Sequence, residues 1–158
     1  MNLSHSLADQ FSQINEEVVT FVDNCSAALW QAPCLDDGRT VAVVAHHIAS
    51  SHALIAPLIT MVATQAPIPD WNVEMLHAGN AQHAAEHSNC TQAEVLALLR
   101  SNGGEAANTV RNLSTAELGN AVHISLFGAT MSTQQVIENV LIGHVAGHFE
   151  ALKSTTGQ

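Results

Sequence analysis

At 158 residues and 16.7 kDa the chain has the size of one domain, and we expect residues 1–158 to fold as a single unit. Hydrophobic residues make up 47% of the sequence but aromatic residues only 4%, a composition that favours packed helices over sheets. Asp and Glu outnumber Lys and Arg by 14 to 4, which argues against a nucleic-acid partner because such partners require clustered cations.

The first half of the chain contains two predicted helices. Apolar residues recur at steps of three and four from Leu3 to Leu29, and this spacing predicts one long amphipathic helix. It should end between Gln31 and Gly38, where proline, aspartate and glycine supply turn residues. Thr40 can cap a second helix that runs to about Thr64, with a kink predicted at Pro57.

The middle of the chain adds two further helical segments. The stretch from Val73 to His87 is rich in Ala, Gln, Glu and His, and we expect it to be helical although Gly79 weakens the pattern. Thr91 and Glu94 have the spacing of a capping box, which satisfies free N–H groups at a helix start. The helix that they open should extend through about Asn112.

The last part of the chain predicts a short turn, a loop and a final helix. Ser114 and Glu117 form a second capping box that starts at most a short turn. The segment from Gly119 to Thr130 has two glycines and an alternating apolar pattern, and we interpret it as a structured loop. Ser132 then caps a helix that runs to about Lys153. Four principal helices with one or two short ones predict an all-α four-helix bundle.

The sequence favours a cytoplasmic, reducing location. Its N-terminus lacks the basic region and the apolar stretch of a signal peptide. The most apolar segment, Val41 to Ala66, is interrupted by histidine and serine residues, which argues against a membrane span. Cys25, Cys34 and Cys90 are odd in number and lack C-x-x-C spacing, so we interpret them as core residues or free thiols.

Ten histidines are the most informative feature of the composition, because neutral imidazole is a common ligand for transition metals. Two histidines four residues apart on a helix share one face and can bind the same ion. The chain has two such pairs, His83 with His87 and His144 with His148. Among ten histidines this spacing also arises by chance, so the surrounding residues must indicate which pair binds a metal ion.

The pair on the last helix lies within its apolar stripe, and His47 lies within the inward stripe of the second helix. A buried histidine without a partner costs roughly 1–3 kcal/mol, which favours a shared role for His47, His144 and His148. We predict that they bind a metal ion; alternatively, they are core histidines bonded to one another or to the backbone. Glu150 is the nearest candidate base, although a carboxylate there is usually solvated.

The other histidines carry weaker signals. His83 and His87 lie in a polar, alanine-rich stretch, and we interpret them as solvated surface or loop residues. A less favoured reading brings Asn80 and His83 to the cavity as supporting or substrate-binding groups. His46 and His52 are expected to face solvent or a neighbouring helix.

Several of these segments match a known pattern. The run from Asp37 to Ala49 fits D-G-W-S-x-x-x-x-x-x-H-I-A, with Arg39 in place of the tryptophan, and the last helix carries H-x-x-x-H. The stretches Asn80–Glu86 and Thr91–Arg100 add to the match. In these features the sequence resembles the DinB-like superfamily, which includes YfiT-type and maleylpyruvate isomerase-like proteins.

That resemblance implies a four-helix bundle, often a homodimer, with one divalent metal ion held by His47, His144 and His148. Zinc, nickel and iron remain open, because a set of three nitrogens suits each of them. Relatives of this kind use the metal to activate a low-molecular-weight thiol for transfer or isomerisation. The expected partners are therefore a small-molecule thiol or electrophile, without nucleic acid or membrane.

Three functional hypotheses follow. The first is a metal-dependent enzyme of the transferase, isomerase or hydrolase type that activates a low-molecular-weight thiol or water. The second is a non-catalytic metal-binding or stress-related helical module. The third is a structural helical protein in which the histidines have no common function.

Overall fold

The computed structural model of the protein describes residues 2–156, and it confirms the predicted all-α four-helix bundle. In chain order the elements are α1 (Leu3–Asp23), α2 (Ala27–Trp30), α3 (Val41–Ala63), α4 (Val73–Glu86), α5 (Gln92–Arg111), α6 (Thr115–Gly119), β1 (Ala121–Ile124), β2 (Ala129–Ser132), α7 (Thr133–Gln135), a π-helical segment (Val136–Ile142) and α8 (Gly143–Thr155). The four principal helices are α1, α3, α5 and a last helix that joins α7, the π-helical segment and α8.

Helix α3 forms the centre of the bundle. It packs along α5 and against the π-helical segment and α8, while α1 packs mainly along α5. All side chains from Val41 to Ala49 are buried. The helix is long and apolar enough to cross a membrane, with a mean hydropathy of 1.4 over 18 residues, but 67% of that window is buried inside the bundle. Its apolar composition is therefore accounted for by its central position.

Side-chain caps begin the helices where the sequence predicted them. The Thr40 hydroxyl accepts a hydrogen bond from the Val43 N–H at the start of α3. The capping box of Thr91 and Glu94 opens α5, and a second box opens α6. Each cap satisfies N–H groups that lack a partner within the helix.

The predicted single helix from Leu3 to Leu29 is wrong at its C-terminal end. Helix α1 ends at Asp23, and the separate helix α2 starts after Ser26, whose hydroxyl accepts a hydrogen bond from the Leu29 N–H. The apolar spacing continues across the break because both helices face the same core, which hid the break from a periodicity argument.

The predicted loop from Gly119 to Thr130 is also wrong, because it contains a hairpin. Strands β1 and β2 pair antiparallel from Ala121 opposite Ser132 to Ile124 opposite Ala129. Gly128 closes the connection with a φ of +60°, a left-handed conformation that glycine adopts without steric cost. The alternating apolar residues therefore marked a strand, and Ile124 is fully buried.

The last helix is not α-helical throughout. Residues Val136–Ile142 form a π-helical segment, and the Gly143 N–H donates to the carbonyl of Glu138, five residues earlier. A π-turn accommodates one more residue than an α-turn and is frequent at functional sites. His144 and His148 follow directly after this segment, so the segment sets the direction in which their side chains point.

Candidate metal centre

His47 on α3 and His144 and His148 on α8 lie together in the bundle. The Nε2 atoms of His47 and His144 are 3.0 Å apart, although 97 residues separate them in sequence. His148 completes the group, with ring centroids 4.8 Å from His47 and 4.5 Å from His144. Each ring offers a nitrogen within 4.8 Å of the others, and two nitrogens bound to one tetrahedral zinc ion are roughly 3.4 Å apart. The triad is therefore a candidate site for one shared metal ion.

Burial keeps these rings neutral. Burial first, and then the neighbouring histidines, lower the pKa of His47 and of His144 to about 3 in each case. The pKa of His148 is also lowered, chiefly by burial. Neutral imidazole is the form that binds a metal, because protonation occupies the lone pair that would coordinate it.

Hydrogen bonding within the triad is incomplete. The facing nitrogens of His47 and His144 satisfy each other only if one ring donates its proton and the other accepts it. The Nδ1 atom of His144 is buried and has no hydrogen-bond partner among residues 2–156. Three neutral imidazoles that face one another, without an amide or carboxylate partner among the described residues, form a donor set that fits a bound cation.

The loop before α3 adds charged groups next to the triad. Gly38 has a φ of +77°, and the carboxylate of Asp37 accepts from the backbone N–H and the side chain of Arg39, the latter at 2.7 Å. Arg39 contributes to the lowered pKa of His47 and of His148, after burial. The arginine that replaces the motif tryptophan therefore places a positive charge beside the candidate metal site.

A second histidine cluster contains His46, the neighbour of His47 in sequence. His46 Nδ1 is 2.8 Å from His83 Nε2, and the His46 ring stacks on that of His87 with centroids 3.9 Å apart. One nitrogen from each of the three rings lies within 4.8 Å of the others. The interpretation of His83 and His87 as solvated surface or loop residues is wrong, because both are half-buried and His83 lies within α4.

The two clusters are adjacent. The rings of His47 and His83 meet edge to face with their centroids 5.5 Å apart. His46 is 7% exposed and faces α4, which agrees with the expectation of a neighbouring helix. Sequence reasoning did not group His46 with His83 and His87; the signal available was the tandem His46–His47 opposite a second i, i+4 pair.

The remaining candidate residues differ in their placement. Asn80 is half-buried on α4, one turn before His83. Glu150 is 70% exposed and forms an ion pair with Lys153, so its carboxylate is directed away from the triad. Cys25, Cys34 and Cys90 are buried free thiols, and burial raises the pKa of each. Thiols of this kind are poor nucleophiles, in agreement with the prediction of core residues.

Solved structures share this architecture. YfiT from Bacillus subtilis, described as a probable metal-dependent hydrolase with an unusual four-helix bundle topology, matches 97% of this chain over 85% of its own length. The TM-score is 0.80 and the sequence identity 15%. The chain has the YfiT fold. The predicted resemblance is thereby confirmed at the level of fold, and identity this low shows no more than that.

The mycothiol-dependent maleylpyruvate isomerase has the same fold, with a TM-score of 0.72 and 15% identity, and a mutant of that enzyme gives 0.71. The match covers 94% of this chain, which spans only 59% of the isomerase. No family model matches the sequence, and no curated protein matches it.

Proposed function

We propose that the protein is a metal-dependent enzyme that activates a low-molecular-weight thiol or water at a site formed by His47, His144 and His148. The observation that carries this proposal is the convergence of three neutral imidazoles from two helices, with their nitrogens within 4.8 Å of one another. Two proteins with this fold, a probable metal-dependent hydrolase and a mycothiol-dependent isomerase, support it.

The proposed donor set suits catalysis better than a purely structural role. Three protein ligands leave a position for another molecule, whereas structural zinc sites have four. A divalent ion bound there would lower the pKa of a coordinated thiol or water toward neutrality. The chain itself holds the three imidazoles neutral, chiefly through burial.

The charges of the chain limit the choice of substrate. Only four Lys and Arg residues are present in the whole sequence, so a multiply phosphorylated substrate is disfavoured. Arg39 lies beside the triad and is the candidate contact for a single carboxylate of a small thiol or electrophile. We propose a small molecule of this class as substrate, and zinc, nickel and iron all suit the ligands.

A non-catalytic metal-binding module is the second candidate. It is favoured by the fact that the described residues hold two histidine clusters, of which only one belongs to the proposed catalytic site. Such a module would bind metal without turnover of any thiol or hydrolytic substrate. We also propose that the protein is a cytoplasmic homodimer with a single domain. Sedimentation of the untagged protein would test whether it is a dimer.

The test combines metal analysis with activity. Protein purified without a histidine tag is assayed for conjugation of small thiols to electrophiles and for ester and amide hydrolysis, with and without a chelator. We expect turnover that the chelator abolishes and that added metal restores. His148→Ala should lose turnover together with the metal ion bound at the triad, while His123→Ala, on the exposed face of the hairpin, should lose neither.

Two outcomes would count against the enzyme. Turnover that is unaffected by the chelator contradicts a metal-dependent mechanism. Metal retained by His148→Ala at the wild-type level contradicts the proposed ligand set. Metal bound at the triad without turnover across the whole panel would favour the module.

A further inference from the structure

The second histidine cluster does not contribute a ligand to the proposed catalytic site, and its chemistry is that of a metal site in its own right. We propose that His46, His83 and His87 bind a second transition-metal ion, and that this ion fastens α4 to α3. The inference goes beyond the proposed function, because a single ion at His47, His144 and His148 would leave this cluster without a role.

The geometry of the donors carries the first part of the proposal. His46 Nδ1 and His83 Nε2 are 2.8 Å apart, and the His87 ring lies 4.7 Å from that of His83. Nitrogens that bind one tetrahedral zinc ion are roughly 3.4 Å apart, and the three donors here lie within 4.8 Å of one another. Small rotations of half-buried rings suffice to bring them to one ion.

Hydrogen bonding leaves the cluster incompletely satisfied. His83 Nε2 is near both His46 Nδ1 and the hydroxyl of Ser50, at 3.4 Å from the latter. The Ser50 hydroxyl itself donates to the carbonyl of His46, so it is already used. His83 Nδ1 is buried and has no hydrogen-bond partner within the described part of the chain. A cation bound at His83 Nε2 would replace this crowded contact by a coordination bond.

The local charges favour a cation at this place. Two carboxylates lie near these rings, Glu94 near His46 and Glu86 near His83, and each favours a positive charge there. Arg39 opposes a cation at His83, but it is paired with Asp37.

The second part of the proposal rests on helix α4, which has no buried apolar face against a neighbouring helix. None of its residues is buried, and its apolar residues Val73, Met75 and Leu76 are exposed. Most helices in proteins are stable because an apolar face is buried against a neighbour. The half-buried residues here are Asn80, His83 and Ala84, followed by His87, which together form one i, i+3, i+4, i+7 face.

Two of the four residues of that face are histidine, so the contact of α4 with α3 depends largely on imidazole. A few polar contacts of this kind contribute little in water. A metal ion shared by His46 of α3 and two rings of the α4 segment would replace the missing apolar contact by coordination bonds. His83 also contacts His47 of the proposed catalytic site. The attachment of α4 therefore determines whether α4 covers the site on the side of His83.

The first experiment counts ions. Untagged protein is stripped with a chelator, loaded with zinc and freed of excess, and its zinc content is measured. We expect two zinc ions per chain for the wild type and one for His87→Ala. His148→Ala should also keep one, which distinguishes failure of the catalytic site from failure of this one. His77→Ala, an exposed histidine on the same helix, is the matched control and should keep two.

The second experiment measures the attachment of α4 by amide hydrogen exchange. We expect zinc to slow exchange across Val73–Glu86 at least tenfold in the wild type, in His77→Ala and in His148→Ala, but not in His87→Ala. His83→Asn provides a second variant that removes a different ligand and should resemble His87→Ala. Circular dichroism establishes that each variant is folded.

The proposal is overturned by a wild-type content of one zinc ion per chain, or by His87→Ala that retains two. It is equally overturned if zinc leaves the exchange of α4 unchanged in the wild type, because the helix would then be held by the stacked rings alone. A loss of zinc in His148→Ala with normal behaviour of His87→Ala would support the catalytic triad and reject the second site.

Discussion

Two buried histidines of α3, His52 and His47, are only five residues apart and lie in contrasting surroundings. His52 is fully buried, and its Nε2 donates to the side-chain oxygen of Asn15 at 2.8 Å. The amide of Asn15 in turn donates to the carbonyl of Leu99 at 3.0 Å, which fixes the orientation of the amide. His47 instead faces the rings of other histidines.

The difference separates a structural histidine from a candidate ligand. His52 belongs to a chain of hydrogen bonds that joins α1, α3 and α5, and its ring meets Phe11 edge to face at 5.0 Å. Its role is to satisfy polar groups inside the core. Among residues 2–156, the rings of His47, His144 and His148 have no amide or carboxylate hydrogen-bond partner, so they are available for a cation. Burial alone therefore does not identify a histidine as a metal ligand. The hydrogen-bond partner of its ring distinguishes the two cases.

The largest effect is expected for a substitution that removes one histidine of the triad. His144→Ala should weaken binding of zinc by about a hundredfold or more, because one of the three ligands is lost. The apo protein should remain folded, since no hydrogen bond among the described residues joins His144 to the Asn15 network. Metal competition and thermal unfolding of the same samples measure both quantities. A variant that loses stability but keeps its zinc would reverse the assignment.

The hydrogen-bond network of Asn15 can be tested at two neighbouring glycines, Gly103 and Gly104. A Cβ atom at Gly103 would lie 2.4 Å from Asn15 Nδ2, whereas nothing lies within 4 Å of one at Gly104. Gly103→Ala should lower the free energy of unfolding by roughly 2 kcal/mol, because the Asn15 network must shift.

Gly104→Ala is the matched control and should raise stability by about 0.5–1 kcal/mol through helix propensity. Neither variant should alter zinc content, which chemical denaturation and metal analysis together can establish. Equal destabilisation by the two would mean that the close approach at Gly103 is not what holds Asn15.

The pH dependence of stability tests the His52 region through the difference between the wild type and a His52 variant, because burial lowers the pKa of His47 and of His144 as well. Burial lowers the pKa of His52 to about 4, below its unfolded value of about 6.5. The unfolded chain therefore binds more protons between these values, and the stability contributed by neutral His52 is complete above about pH 6.5 and lost as the pH falls toward 4.

For one such group the slope is about 1.4 kcal/mol per pH unit in that window. His52→Gln should be less stable than the wild type at neutral pH and show a shallower slope in the apo protein. Denaturant unfolding at a series of pH values measures it. Parallel curves for the two proteins would show that His52 is not the group that titrates.

The smallest expected effect concerns the charge beside the triad. Arg39→Gln removes a positive charge and leaves Asp37 unpaired, so zinc should bind about two- to fivefold more tightly. The gain should disappear at about 1 M salt, where the Debye length is roughly 3 Å. Tighter binding that persists at high salt would indicate a steric cause.

The sequence was sufficient for features that depend on local chemistry. The caps at Thr40 and Thr91 follow from hydrogen bonding over three residues, and the inward position of His47 follows from apolar spacing. The interhelical contact of His46 with His83 and His87 could not be predicted, because it depends on where α4 lies. A helix without an apolar stripe gives the sequence no signal for the face by which it docks.

The π-helical segment links the orientation of the site histidines to the packing of the core. Hydrogen bonding from residue 143 back to residue 138 takes up an extra residue, so Ile137 and Leu141 before the junction and Val145 and Phe149 after it are all buried. Removing or adding one residue there would rotate everything that follows by about 100°. The two imidazoles of α8 would then turn with the apolar side chains, so this helix tolerates neither insertion nor deletion upstream of His144 without losing both packing and ligands.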